Sequence, residues 1–273
     1  MAHSISPLMH NESFRLLGLD YVYLCFDVNE ETLPAAVAGL KTCGIRGFNL
    51  TMPNKNKIVE LLDELSPEAQ LIGAVNTVLN DNGKLIGYNT DGYGFMQSVR
   101  DAGHDITGKN ITVMGVGGAS MAICAQSALD GAASVHIFAR RTSRYWNRTQ
   151  KFAENLSAKT GCQVCLFDND DHTALRDSIA QSYLLINATS VGMVPDIDDT
   201  IIKDTSLFHP ELVVADVVYE PQETRLLREA KAAGCQTFNG MYMLLHQGAK
   251  AFQIWTGQEM PVSVIKEKYF SVK

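Results

Sequence analysis

The chain has 273 residues, of which 46% are hydrophobic and 19% charged, with 21 Gly and 8 Pro. That composition excludes a disordered or collagen-like protein and predicts one large domain or two ordinary ones. There are 30 acidic against 23 basic side chains, a formal charge of -7, and such a surface repels nucleic acid and anionic membranes in the mean. No apolar run approaches the ~20 residues of a bilayer span, and residues 1–11 carry neither the basic nor the apolar region of a signal peptide. The expectation is a cytoplasmic protein with no nucleic-acid and no membrane partner. Six Cys in such a chain read as reduced core residues. Cys162 and Cys165 form a C-x-x-C, but no second ligand pair accompanies them, and no metal is expected.

In chain order, residues 21–27 (YVYLCFD) read as a strand, 32–43 as an amphipathic helix and 45–50 as a second strand, together a βαβ unit. Residues 74–80 and 84–88 flank Asp81-Asn82-Gly83, a turn composition that suits a hairpin. A helix is expected over 91–102. The polar, Gly-bearing stretch 103–110 then marks a domain boundary. Beyond it, strands are expected over 111–114, 134–139, 183–187 and 212–217, separated by helical stretches such as 119–129 and 224–233, which predicts a doubly wound parallel sheet. From Gly240 the segment MYMLLHQGAKAFQIW is apolar at helical spacing and is expected to return to the first domain. The fold class is α/β, with two α/β domains.

The strand over 111–114 runs into Gly115-Val116-Gly117-Gly118-Ala119-Ser120 and then a helix. This is G-x-G-x-x-S in the setting where glycines permit a tight turn, let the backbone approach a pyrophosphate and aim a helix N-terminus at its charge. Gly115, Gly117, Gly118 and Ala119 are therefore candidate cofactor contacts. At the end of the next strand an acid would hold the ribose 2'-hydroxyl of NAD and repel a 2'-phosphate. The chain instead reads Ala139-Arg140-Arg141-Thr142-Ser143-Arg144. Guanidinium groups of Arg140, Arg141 and Arg144 with the Thr142 hydroxyl suit a phosphate dianion, so NADP is favoured and NAD is the second candidate.

Several ordered stretches resemble one family: His3-Ser4-Ile5-Ser6-Pro7, Asn49-Leu50-Thr51-Met52-Pro53-Asn54-Lys55, Gly73-Ala74-Val75-Asn76-Thr77, Asn89-Thr90-Asp91-Gly92, the Gly-rich turn, Asn187-Ala188-Thr189-Ser190-Val191-Gly192-Met193 and Met243-Leu244-Leu245-His246-Gln247. They look like the motifs of shikimate dehydrogenases over nearly the whole chain, most of all those of the quinate/shikimate dehydrogenase branch. The resemblance implies a reversible hydride transfer between a nicotinamide cofactor and the C3 hydroxyl of shikimate, giving 3-dehydroshikimate, or the analogous oxidation of quinate. It places the protein in aromatic amino acid and chorismate biosynthesis and leaves a homodimer open.

By the same resemblance, Lys55 is the acid/base group and Asp91 its partner. A secondary alcohol that loses hydride must also lose a proton, and a flexible amine held by a carboxylate can take it. Ser4 and Ser6 match the family's carboxylate-binding pair, Thr51, Asn76 and Gln247 the remaining polar contacts, and Tyr219 the tyrosine near the carboxylate. Thr189, Ser190, Val217 and Gly240 match the cofactor site. The implied domains are a substrate domain with a mixed sheet, 1–103 plus 240–273, and a Rossmann-type NAD(P) domain, 104–239, with the active site in the cleft.

Four departures from the family pattern stand out. The family's first strand and Gly-x-Pro-Ile segment do not precede His3-Ser4, Val116 replaces the usual Ala, Ala139 stands where Asn is common, and Tyr242 stands where a second Gly is usual. Two alternatives therefore stay open, an enzyme of this kind acting on another polyol acid and a catalytically weak NADP- or metabolite-binding protein.

Overall fold

The computed structural model describes residues 4–270, so His3 of the first motif lies outside the described residues. In chain order the elements begin with α1 (Ser6–Leu16), α2 (Leu33–Thr42), β1 (Gly47–Asn49), α3 (Asn54–Lys57), β2 (Glu64–Leu65), α4 (Pro67–Ile72), β3 (Thr77–Asp81), β4 (Lys84–Tyr88) and α5 (Asp91–Asp101). There follow β5 (Asn110–Met114), α6 (Gly118–Leu129), β6 (Ser134–Ala139), α7 (Trp146–Thr160), β7 (Gln163–Asp168), α8 (His172–Gln181) and β8 (Leu184–Asn187). The last are β9 (Val213–Asp216), α9 (Arg225–Ala232), β10 (Gln236–Asn239), α10 (Met241–Thr256) and α11 (Val262–Tyr269). No described helix is long and apolar enough to cross a membrane.

The chain divides into two compact units, 1–94 with 244–273, and 95–243. The divisions fall inside α5 and α10.

The first unit holds a four-stranded mixed sheet in the order β1-β3-β4-β2, with β2 parallel to β4 and the other pairs antiparallel. β3 and β4 form the expected hairpin. Asn82 and Gly83 turn it with φ of 52° and 93°, the positive values that a two-residue turn between right-twisted strands requires. Leu33 and Val37 of α2 pack with Ile58, Ala69, Val75, Val78 and Leu85 as this unit's core. Three of its helices carry a proline at one of their first two positions, where it has no N–H to leave unpaired and a φ suited to the first turn.

The βαβ reading of 21–50 is wrong in its first strand. Residues 21–27 form no regular element and join no sheet, and Val22, Leu24 and Phe26 are 70%, 60% and 52% exposed. The alternation of apolar residues is that of a strand, but a strand also needs a neighbour's backbone groups, and here the amide side chain of Asn11 takes both main-chain groups of Tyr23, at 2.7 and 3.0 Å. β1 consequently pairs antiparallel with β3 and has no parallel partner upstream.

The second unit holds a six-stranded, all-parallel sheet in the order β10-β9-β8-β5-β6-β7. Read outward from β5, that is the 3-2-1-4-5-6 arrangement of doubly wound dinucleotide folds, in which the strand order reverses between β5 and β8. Its strands are nearly continuous apolar runs, as burial on both faces demands. Met114, Phe138, Leu185 and Val214 contribute one residue each from β5, β6, β8 and β9 to a core closed by Ile179 of α8 and Leu226, Leu227 and Ala230 of α9. Gln163–Asp168 and Gln236–Asn239 complete the sheet as edge strands, and the sequence reading had not marked them.

Candidate functional site

The first unit brings together most of the polar residues singled out in its sequence. Lys55 sits on the single-turn α3, tied down where its own carbonyl accepts from the Val75 N–H at 2.8 Å, and Asp91 opens α5. Lys55 Nζ lies 2.6 Å from Asp91 Oδ2, and the side chains are only 19% and 13% exposed. The carboxylate's other oxygen accepts from Asn76 Nδ2 at 2.8 Å.

Asn76 is itself fixed. Its Oδ1 accepts from the Thr90 N–H at 2.8 Å and from the Thr77 hydroxyl at 3.0 Å, and its Nδ2 also reaches Thr90 Oγ1 at 3.0 Å and Gln247 Oε1 at 3.4 Å. The Thr90 N–H can only donate, so it forces Oδ1 toward the loop and Nδ2 toward Asp91.

Two members of this network were not foreseen. Asn49 donates from Nδ2 to Thr77 Oγ1 at 2.9 Å and to the Asn76 carbonyl at 3.2 Å, while its Oδ1 accepts from the Tyr23 hydroxyl at 3.0 Å. Asn49 stands inside the quoted Asn49-Leu50-Thr51 motif, and an amide in a strand was a signal available from sequence. Tyr23 gave none. Its phenol interacts with the Ser6 hydroxyl, and burial pushes it up to about 12. Through Tyr23 and Asn49, Ser6 joins the group that holds Lys55, Asp91, Asn76 and Gln247.

Ser4 is exposed and its Oγ accepts from the Ser6 N–H at 3.4 Å. Thr51 is also exposed, and its carbonyl accepts the Asn54 N–H. Tyr219, 45% exposed, lies in the second unit.

In the second unit the Gly-rich turn leaves β5 as expected. Gly115 has φ +111°, and a Cβ there would sit 2.7 Å from Thr189 Cγ2 and 2.9 Å from the Ala188 carbonyl oxygen, so only glycine fits. Gly117 and Gly118 are the opposite case, since a Cβ on either meets nothing within 4 Å. No side chain caps α6, which leaves its N-terminal amides facing that space. A Cβ on Gly240 would overlap the backbone of Val217. Thr189 is half-buried and Ser190 exposed on the loop after β8. Of the departures in this region, Val116 and Tyr242 are half-buried and Ala139 is buried.

The arginines after β6 are not equivalent. The Arg141 guanidinium lies over Trp146, 4.6 Å from the ring centroid, and Arg144 lies over Tyr145 at 4.7 Å while donating to its hydroxyl at 2.6 Å. Arg140 is exposed, and its guanidinium makes no hydrogen bond or ion pair among the described residues. Thr142 is exposed beside it. No cluster of His, Cys, Asp or Glu suited to a metal ion occurs among the described residues.

A doubly wound dinucleotide unit with an open glycine turn, and a first unit carrying a Lys–Asp pair among amides and hydroxyls, suit a nucleotide-dependent enzyme class that moves a hydride and a proton. Residues 1–78 match the shikimate dehydrogenase substrate binding domain, and 240–268 the shikimate 5'-dehydrogenase C-terminal domain. The chain is 52% identical over 98% of its length, and 92% of the relative's, to a Listeria innocua protein named shikimate dehydrogenase (NADP(+)). The crystal structure of shikimate 5-dehydrogenase from Listeria monocytogenes in complex with shikimate and NAD superposes with a TM-score of 0.95 at 51% identity, covering 98% of this chain and 92% of that one. Quinate dehydrogenase from Corynebacterium glutamicum in complex with NAD gives 0.86 at 31% identity, covering 99% and 95%. The chain belongs to the shikimate dehydrogenase family.

Proposed function

We propose that this protein is an NADP-dependent oxidoreductase that interconverts shikimate and 3-dehydroshikimate, a step of aromatic amino acid biosynthesis. The observation that carries the reading is the Lys55–Asp91 pair at 2.6 Å, braced by Asn76 and placed beside Gln247. A protein that merely bound a metabolite would have no use for an amine held this way.

The residues of the second unit fit a nicotinamide dinucleotide. Gly117 and Gly118 leave open space before uncapped amides, which suits a pyrophosphate, and Arg140 offers an unengaged guanidinium for a 2'-phosphate. Gly115, Ala119, Thr142, Thr189, Ser190, Val217 and Gly240 would complete that site, with Arg141 and Arg144 on their aromatic platforms. When bound, the cofactor supplies the hydride acceptor or donor.

Lys55 Nζ takes the hydroxyl proton as the alcohol becomes a ketone and returns it in reduction. Asp91 holds the amine in place with Oδ2, while Asn76 prevents its other oxygen from turning away. Ser4 and Ser6 bind the substrate carboxylate, and Thr51, Asn76 and Gln247 bind ring hydroxyls.

The test is reduction of nicotinamide followed by absorbance, with shikimate and quinate each offered against NADP and NAD. Turnover of shikimate with NADP is expected to be the highest. Failure with shikimate under every cofactor sinks the proposal. The likeness to a quinate dehydrogenase supports a second, slower activity on quinate.

A further inference from the structure

Asp216 closes β9 and is fully buried, yet nothing in the reaction above uses its carboxylate. Burial opposes an anion and raises this carboxyl above the usual carboxylate range. Such a group persists only if donors surround it, and three do. Oδ1 accepts from Asn187 Nδ2 at 3.0 Å and from the Val218 N–H at 2.9 Å, and Oδ2 accepts from the Thr224 hydroxyl at 2.8 Å.

The donors come from three separate pieces of chain, the end of β8, the turn leaving β9 and the N-cap of α9. Two of these arms lead onward into the proposed cofactor site. Asn187 Oδ1 accepts from the Thr189 N–H at 3.1 Å and its hydroxyl at 2.6 Å, and Asn187 Nδ2 also reaches the Val191 carbonyl at 3.1 Å. Thr189 in turn packs against Gly115, where no Cβ could fit. The second arm fixes the peptide after Val217, whose backbone closes over Gly240.

We propose that Asp216 is a positioning residue for the nicotinamide cofactor, a buried clasp that sets the loops over 188–192 and 217–220 in their binding shape. The proposal rests on the NADP reading of the second unit. Its content is directional. An apolar side chain would leave two N–H groups and one hydroxyl without acceptors, whereas asparagine can keep all three partners, because the Thr224 hydroxyl can turn to accept from the new amide.

The experiment is titration of the full chain with NADP+ in the absence of substrate, by calorimetry, for the native protein, Asp216→Asn, Asp216→Ala and Asn187→Ala. Asp216→Ala and Asn187→Ala are expected to weaken binding about tenfold or more, and Asp216→Asn to stay within about threefold. Hydrogen exchange of the cofactor-free variants should quicken over 188–192 and 217–220 and stay unchanged in β5 and β6, which a general loss of fold would not spare. If native protein binds NADP+ and a folded Asp216→Ala binds it equally well, the clasp is overturned and the cofactor reading stands. Should Asp216→Ala not fold, unchanged affinity in Asn187→Ala overturns the clasp by itself. Equal losses in Asp216→Asn and Asp216→Ala overturn it too, since charge and not bonding would then be at work. No binding by native protein overturns the cofactor reading and the clasp together.

Discussion

Around Lys55 the working groups are side-chain atoms that already hold one another, amine to carboxylate, carboxylate to amide, amide to hydroxyl. Around Gly115 they are main-chain amides and the space left by absent side chains. The difference follows from what each must meet. In the proposed reaction a proton has to be carried by one atom at one place, and a network of paired side chains would pre-position such a carrier. A pyrophosphate spreads its charge over several oxygens and would be met by a run of N–H groups, which any Cβ in the wrong place would obstruct. Substitutions in the first region should therefore change turnover, and those in the second should change cofactor affinity.

The largest separation is expected from Lys55→Ala. Losing the acid/base group should lower kcat by about 10²- to 10⁴-fold. NADP+ affinity, measured without substrate, should be unchanged. Native turnover in that variant would remove the amine from the mechanism.

Two glycines of the same turn make the next test. Gly115→Ala forces a side chain into φ +111° and against Thr189, and should destabilise the fold by about 1–3 kcal/mol in thermal or urea unfolding. Gly117→Ala places its methyl in open space, so stability should hold while NADP+ affinity falls about tenfold, or ~1.4 kcal/mol. Equal stability losses in both would mean that the space before α6 is not what the structure indicates.

The arginines sharpen the comparison within the nucleotide region. Arg140→Ala should cost NADP about 1.5 to 3 kcal/mol in kcat/KM, the worth of a charge-assisted hydrogen bond, and leave NAD nearly unaffected. Arg141→Ala, which loses a stack on Trp146, should weaken both cofactors alike. If NAD is the better cofactor of the native protein, or if neither change is selective, there is no 2'-phosphate clamp.

The smallest effect at neutral pH belongs to a residue of the first unit that breaks its own rule. His10 is fully buried between the rings of Tyr23, Phe14, Phe252 and Trp255, and neither ring nitrogen has a hydrogen-bond partner among the described residues. Burial lowers it from 6.5 to about 3. The folded state thus refuses a proton that the unfolded state accepts, and stability is fully present above pH 6.5 and falls below it, by up to about 1.4 kcal/mol per pH unit until about pH 3. His10→Phe should flatten that part of the acid-unfolding curve. An unaltered slope would show that the acid sensitivity lies elsewhere.

Much of this was determined by the sequence alone. A glycine turn between an apolar strand and a helix is local chemistry, and so is the hairpin around Asn82-Gly83. Alternating strands and helices predict a parallel sheet because a crossover helix allows no other economical pairing. Lys55, Asp91, Asn76 and Gln247 were found through ordered motifs, which carry chemistry but no distances.

The tertiary structure decided what depends on neighbours distant in the chain. Residues 21–27 have every local mark of a strand, but a strand is a relation between two segments, and the amide of Asn11 occupies the backbone groups of Tyr23. The same holds for Tyr23 and Asn49 as members of the Lys55 network, for the different surroundings of Arg140 and Arg141, and for Asp216. A hydrogen bond joins groups 26 or 29 residues apart as readily as adjacent ones, and only the packed chain fixes which donors an acceptor will meet.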